Sequence, residues 1–339
     1  MGLLSDGQHR EVAPERAERS EMEKFHSARY LDSIKSAESG NLTPEAFAMG
    51  LGTPDCPVFL GMYDYASLAS GASITGARLI LSGEANAAFN PSGGFHHAGP
   101  EKASGFCYVN DVVLAALELS EAGKNVLYLD LDVHHCDGVQ DAFYDRRDIM
   151  TISMHESGKS LFPGTGFEDE IGIGQGKGYC INIPLPIGTY DEAYEEAFRS
   201  VVLPLATKFD PDVIIMQLGM DALSGDPLAH LSLTNNVYAD IIGSIIKLEK
   251  PILATGGGGY NIDKTVRGWT LAWSVLSGEE EHDMSLGLGG VMLENVEWSG
   301  GLRDRTLIPD IARRSLVDAE VNHVIGRIRS VVFPLHGLA

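Results

Sequence analysis

The stretch VLYLDLDVHHCDGVQDAFY, residues 126–144, decides how this chain is read. It opens as an apolar run, takes acids at alternate positions and closes on a short helical pattern. In extended backbone, side chains alternate between two faces, so Asp130, Asp132 and His134 are expected to point one way. Leu131 and Val133 then point the other. Carboxylates in a buried strand are costly unless they are paired or bind a metal. A carboxylate and an imidazole two residues apart at a strand end can therefore form half of a zinc site. The plain alternative is an ion-paired strand end with no metal.

Outward from that segment lie further short, β-branched runs: IMTISMH (149–155), YCINIPL (179–185), DVIIMQLG (212–219) and PILATGG (251–257). Helical spacing falls between them at 191–208, 236–248 and 261–277. It also precedes them at 65–83 and at 107–124, the latter ended by Gly123. The opening to about Tyr30 reads as charged and at best helical, and an irregular region follows through Asp55–Pro57. PSGGFHHAGPEKASG (91–105) breaks all periodicity and reads as a loop. Strands alternating with helices predict an α/β fold, an open, mostly parallel β-sheet with helices on both faces. Ligands of such folds sit at the carboxyl ends of the strands, where the reactive residues of this chain cluster.

The strand VIIMQLG leads to Asp221, at the same expected edge as Asp132 and His134. An Asp after a strand is commonly a helix cap or turn residue. An Asp-His-Asp set with a position left for water is instead an open, catalytic arrangement. The loop GGFHHAGP adds His96 and His97. Hydrolysis of an amide needs a base for the water and an acid for the leaving amine, and imidazole serves as both near neutral pH. Asp130 and Asp137 are available to fix the histidine tautomers. TGGGGYN (255–261) lacks the Lys-Ser/Thr of a phosphate-binding loop. Its glycines let backbone approach a cavity closely, and Tyr260 could then donate to a developing oxyanion. A core tyrosine is the ordinary reading of that residue.

Bulk composition bounds the rest. No linker or compositional break divides the 339 residues, so a single domain over 1–339 is expected. No apolar run approaches the roughly 18–20 residues that span a bilayer, and the N-terminal stretch lacks the apolar core of a signal peptide. Cysteines 56, 107, 136 and 180 form no Cys-x-x-Cys pair, which argues against a disulfide framework and a thiolate zinc site. Reduced thiols and a cytoplasmic location are the expectation. A net charge of -22 repels a phosphate backbone, so direct nucleic-acid binding is not expected, whereas basic partners are attracted. Oligomeric state is not legible.

Taken together, GGFHHA, ASGFCYVND, YLDLDVHHCDGVQDAFY, TISMH, LFPGTG, QLGMDALSGDP and TGGGGYN resemble the histone deacetylase family in order and spacing. The resemblance runs from about Phe25 to Gly278, with 279–339 read as a helical extension. It implies the arginase–deacetylase fold and a metal-dependent deacetylase that hydrolyses N-acetyl amides, acetyl-lysine in proteins foremost. An acetylated polyamine or other small acetamide is the alternative substrate, and a non-catalytic acyl-lysine binding module the alternative role. Asp132, His134 and Asp221 are implied as ligands of Zn2+, with Fe2+ as an alternative. The resemblance makes His97, paired with Asp137, the general base and acid, and His96, paired with Asp130, the second histidine. Tyr260 would polarise the acetyl carbonyl. Gly105, Phe106 and Phe162 would line the acyl-lysine tunnel, Leu228 its mouth, and Asp55 would accept hydrogen bonds from substrate backbone at the rim. A structural K+ would be held by Asp130, Asp132, His134, Ser153 and Met154.

The chain departs from the family pattern in three places. The family opens with a strand and a following Arg upstream of Phe25-His26-Ser27, and GQHREVAPERAER supplies neither clearly. A truncated start or a lost edge strand are the alternatives, and no functional Arg is assigned. Cys136 stands where a small Gly is common, and the tail is more similar to prokaryotic acetoin-utilisation-type members. A two-metal, arginase-like site would need a second Asp two residues after Asp221, where Leu223 stands.

Overall fold

A computed structural model describes residues 9–279 and 301–339. Its strands are β1 (Ala87–Asn90), β2 (Val126–Asp130), β3 (Ile149–Glu156), β4 (Cys180–Leu185), β5 (Val213–Gln217) and β6 (Ile252–Thr255). They form one sheet in the order β1-β6-β5-β2-β3-β4, with every pairing parallel. The helices are α1 (Arg19–Met22), α2 (Ala28–Glu38), α3 (Pro44–Ala48), α4 (Met62–Leu81), α5 (Asp111–Glu121) and α6 (Asp137–Phe143). Beyond them come α7 (Asp191–Ala197), α8 (Leu203–Phe209), α9 (Asn235–Ile246), α10 (Ile262–Leu276) and α11 (Ile311–Val331).

The near-continuous apolar runs of the strands follow from burial on both faces. Val126 and Tyr128 of β2 pack into a core with Ala77 of α4, Val112 of α5 and Val139 of α6. Leu127 and Leu129 enter the opposite core, with Tyr194 of α7, Ile241 of α9 and Val321 of α11. Parallel strands between two helical layers bring all their carboxyl ends to one edge. Asp130 there lies in register with Ser153 of β3 and Gln217 of β5.

Several sequence expectations need correction. Residues between Tyr30 and Pro57 are not simply irregular: α2 and α3 form there, started by Ser27 and Thr43, whose hydroxyls accept the amides of Tyr30 and Ala46. Helix α5 begins at Asp111 rather than Cys107, because Asn110 takes the cap position and accepts the Val113 amide. The edge strand β1 carries no buried apolar run to signal it, and among the described residues no strand precedes it. The helical extension is present in part as α11, while 280–300 lie outside the described residues. All four cysteines are free and buried, Cys136 in the core beneath α6. No described helix is long and apolar enough to cross a membrane.

Candidate active site and metal centre

Strand β2 ends at Asp130, so strict alternation does not carry Asp132 and His134 to the same face. Carboxylates shape the next residues instead. Asp130 Oδ1 accepts the Asp132 amide at 2.9 Å, Asp132 Oδ1 accepts the His134 amide at 2.9 Å, and Asp221 Oδ1 accepts the Val133 amide at 3.0 Å. The acids thus satisfy backbone that has left the sheet, while Asp132 Oδ1 and Asp221 Oδ2 both lie beside the His134 ring.

The donor atoms of Asp132, His134 and Asp221 all lie within 4.8 Å of one another, and all three residues are buried. His134 Nδ1 is 3.1 Å from Asp132 Oδ1 and 3.0 Å from Asp221 Oδ2. Although close, Asp221 Oδ2 has no hydrogen bond of acceptable geometry. Burial alone would keep His134 neutral, but the two carboxylates hold it well above its ordinary value. Burial and the neighbouring Asp132 push Asp221 up to about 6. Two buried acids and an orphaned oxygen around one imidazole call for a cation, and one imidazole with two carboxylates is a donor set for zinc or ferrous iron. The residues fit a metal.

The glycine run of 256–259 packs directly on this centre. Gly258 donates its amide to Asp132 Oδ2 at 2.7 Å and accepts the Met220 amide at 2.7 Å. A Cβ on Gly258 would fall 1.9 Å from Asp221 Oδ2, so only glycine fits.

The two histidines come from the loop after β1. Gly94 and Phe95 donate their amides to the buried Asp111 carboxylate, and Asn110 Nδ2 donates to the carbonyls of His96 and Ala98. The start of α5 therefore fixes the loop. His97 Nδ1 lies 2.6 Å from Asp137 Oδ1, and His96 Nδ1 lies 2.7 Å from Asp130 Oδ2. Their Nε2 atoms approach to 3.0 Å. Burial and the neighbouring His96 draw His97 down to about 4. Burial also opposes charge on His96, but Asp130 and Asp132 outweigh it and raise the ring to about 9.

A cavity of about 240 Å³ opens onto these groups, with Gly105, Phe106 and Tyr260 among its lining. Phe162 stacks edge-on against His97 at 5.0 Å, and Phe106 against Tyr260 at 5.7 Å. Gly105 has φ +54°, and a Cβ there would meet His97 Cδ2 at 2.4 Å. Asp55 accepts the Gly105 amide at 3.1 Å through Oδ2. Leu228 is part-exposed, like Phe106 and Phe162. Burial and the Asp221 and Asp132 charges push the Tyr260 phenol far above its ordinary value, so it keeps its proton. Ser153 and Met154 are buried at the end of β3, Ser153 abreast of Asp130.

Four residues of this site were not singled out from the sequence. Gln217 donates to the Gly94 carbonyl at 3.0 Å and approaches His96 Nδ1 at 2.9 Å, and Tyr128 donates to Asp130 Oδ2 at 2.5 Å. Asp111 and Asn110 anchor the histidine loop. The Asn-Asp pair before an apolar helical run is a cap signal that could have found the last two. Nothing local marks Gln217 or Tyr128.

An open α/β sheet with one metal-ready Asp-His-Asp centre, a histidine pair and a half-buried phenol defines a metallohydrolase. A family profile for the histone deacetylase domain matches residues 2–276. The chain is 40% identical over 279 residues to histone deacetylase 8 of Xenopus tropicalis, covering 82% of this chain and 75% of that protein. It is 40% identical over 281 residues to histone deacetylase 1 of Homo sapiens, covering 80% of this chain and 58% of the relative. The crystal structure of a histone deacetylase homologue from Aquifex aeolicus superposes with a TM-score of 0.84 at 33% identity, covering 97% of this chain and 90% of that one. This chain belongs to the histone deacetylase family.

Proposed function

We propose that the protein is a zinc-dependent deacetylase acting on acetyl-lysine side chains of proteins, with ferrous iron as the alternative metal. One observation carries the reading: Asp132, His134, His97 and the protonated Tyr260 line one cavity with Phe106, while Asp221 lies beside the first two and Asp137 behind His97. Asp132, His134 and Asp221 would hold the metal, which when bound would supply Lewis acidity to an amide carbonyl and a water.

The chain's own groups do the rest. Phe106 and Phe162 flank an extended acyl-lysine stem, and Asp55 and Leu228 meet the substrate at the rim. Tyr260 donates its phenolic hydrogen to the carbonyl oxygen as negative charge develops there. His97 accepts the proton of the attacking water, its tautomer and ring plane fixed by Asp137. The 3.0 Å contact between the Nε2 atoms lets the histidine pair share that proton, with Asp130 favouring charge on His96. From His97 the proton then passes to the leaving amine nitrogen. Under the same reading Asp130, Asp132, His134, Ser153 and Met154 would hold a structural K+.

The test is acetate release by metal-loaded protein from acetyl-lysine peptides and acetylpolyamines, assayed side by side. Turnover of the peptides, lost in His97→Ala, supports the reading. Turnover of the polyamines alone refutes the protein substrate, and acetate release unchanged by His97→Ala refutes the mechanism.

A further inference from the structure

We infer that Asp226 is a positioning residue that sets the place of Tyr260, an inference resting on the role proposed for that phenol. Asp226 stands in SGDPL (224–228), between the ligand Asp221 and the rim residue Leu228. Its carboxylate is buried, and both oxygens are committed. Oδ2 accepts the Tyr260 amide at 2.8 Å, and Oδ1 accepts the Leu228 amide at 2.9 Å. Lys264, in the first turn of α10, donates to the Ser224 carbonyl and ties the same two segments a second time.

This fastening matters because of what precedes it. Tyr260 follows four consecutive glycines, and Gly257 and Gly259 sit at φ +150° and +149°, where backbone has little stiffness of its own. Gly258 is pinned on one side by Asp132, and Asn261 caps α10 on the other by accepting the Lys264 amide. Between them, the amide of Tyr260 itself is held by Asp226. One carboxylate thus fixes both the donor to the acyl oxygen and the mouth residue Leu228.

A double-mutant cycle with Tyr260→Phe tests this. Asp226→Ala should lower kcat by about tenfold or more, the scale expected when a reacting group is misplaced. Metal content should stay at that of the wild type, and the loss should vanish in the Tyr260→Phe background. An equal fold loss in both backgrounds overturns the inference, since a general structural role would not depend on the phenol. If Asp226→Ala does not fold, Asp226→Asn, which keeps one acceptor oxygen, carries the same cycle. Crystal structures of the variant give a reading independent of turnover. The Tyr260 ring should leave its place beside Phe106, and an unmoved ring refutes the positioning role. Wild-type protein that hydrolyses no acetyl amide would instead refute the proposed function, and the crystallographic arm would still decide this inference.

Discussion

Asp221 shows most sharply what single atoms contribute here. One of its oxygens holds the Val133 amide and so shapes the turn after β2, while the other is buried 3.0 Å from His134 Nδ1 without a hydrogen bond. In Asp221→Asn the amide oxygen can still accept the Val133 amide, but an NH2 group then replaces the second ligand oxygen. The variant is expected to fold with near-normal circular dichroism and to contain no stoichiometric metal by elemental analysis. Full metal content would count against Asp221 as a ligand. Tyr260→Phe removes only a hydrogen-bond donor, so kcat should fall about 10²–10³-fold with metal retained, the range seen when one oxyanion donor is lost. Gly258→Ala drives a methyl into Asp221 Oδ2. Thermal unfolding and metal titration should both show a damaged site, at a cost of about 1–3 kcal/mol for overpacking.

At the scale of elements, the anchoring of the histidine loop by α5 makes a separate prediction. Asn110→Ala removes the cap of α5 and strands the buried carbonyls of His96 and Ala98. Denaturant unfolding should show a loss of about 2–4 kcal/mol, from the cap and the unsatisfied carbonyls together. How far the sequence discloses each element follows from what holds it. Strands β2 to β6 are legible because burial on both faces keeps them runs rich in apolar and β-branched residues, even where Thr151, Ser153 and Asn182 interrupt β3 and β4. Strand β1 is four residues long, AAFN, with three of them only half-buried, and carries no such run. Its place comes from pairing with β6, a contact between distant parts of the chain. Likewise the strand alternation that groups Asp130, Asp132 and His134 holds only to Asp130. Asp132 and His134 converge through carboxylate-to-amide bonds contributed partly by Asp221, which local periodicity does not encode. The histidine pair, Asp221 and the glycine-borne Tyr260 are legible because their chemistry lies in the residue types themselves.

Across the whole molecule, buried groups couple folding to pH. His26 is buried between Phe25 and Tyr30, and its Nε2 accepts the Asn110 amide. Burial depresses it to about 4. The unfolded chain therefore binds a proton that the folded one refuses, and the stability this group contributes is full above about pH 6.5 and declines as pH falls toward 4. The slope approaches about 1.4 kcal/mol per pH unit in that window. Denaturant titrations from pH 7.5 to 5 should show a smaller acid loss in His26→Gln than in the wild type, and equal losses would contradict the neutral buried state. The net charge of -22 acts at the same scale, as a negative field around the chain.

All of this converges on the proposal that Asp132, His134 and Asp221 hold a single metal for amide hydrolysis. The most direct test is to strip the protein of metal and follow acetate release from an acetyl-lysine peptide as zinc is returned in measured equivalents. Activity should be absent at the start, rise in proportion to bound zinc and level off at one ion per chain. A peptide that binds the zinc-loaded protein yet yields no acetate, or activity that needs two ions per chain, would contradict the account.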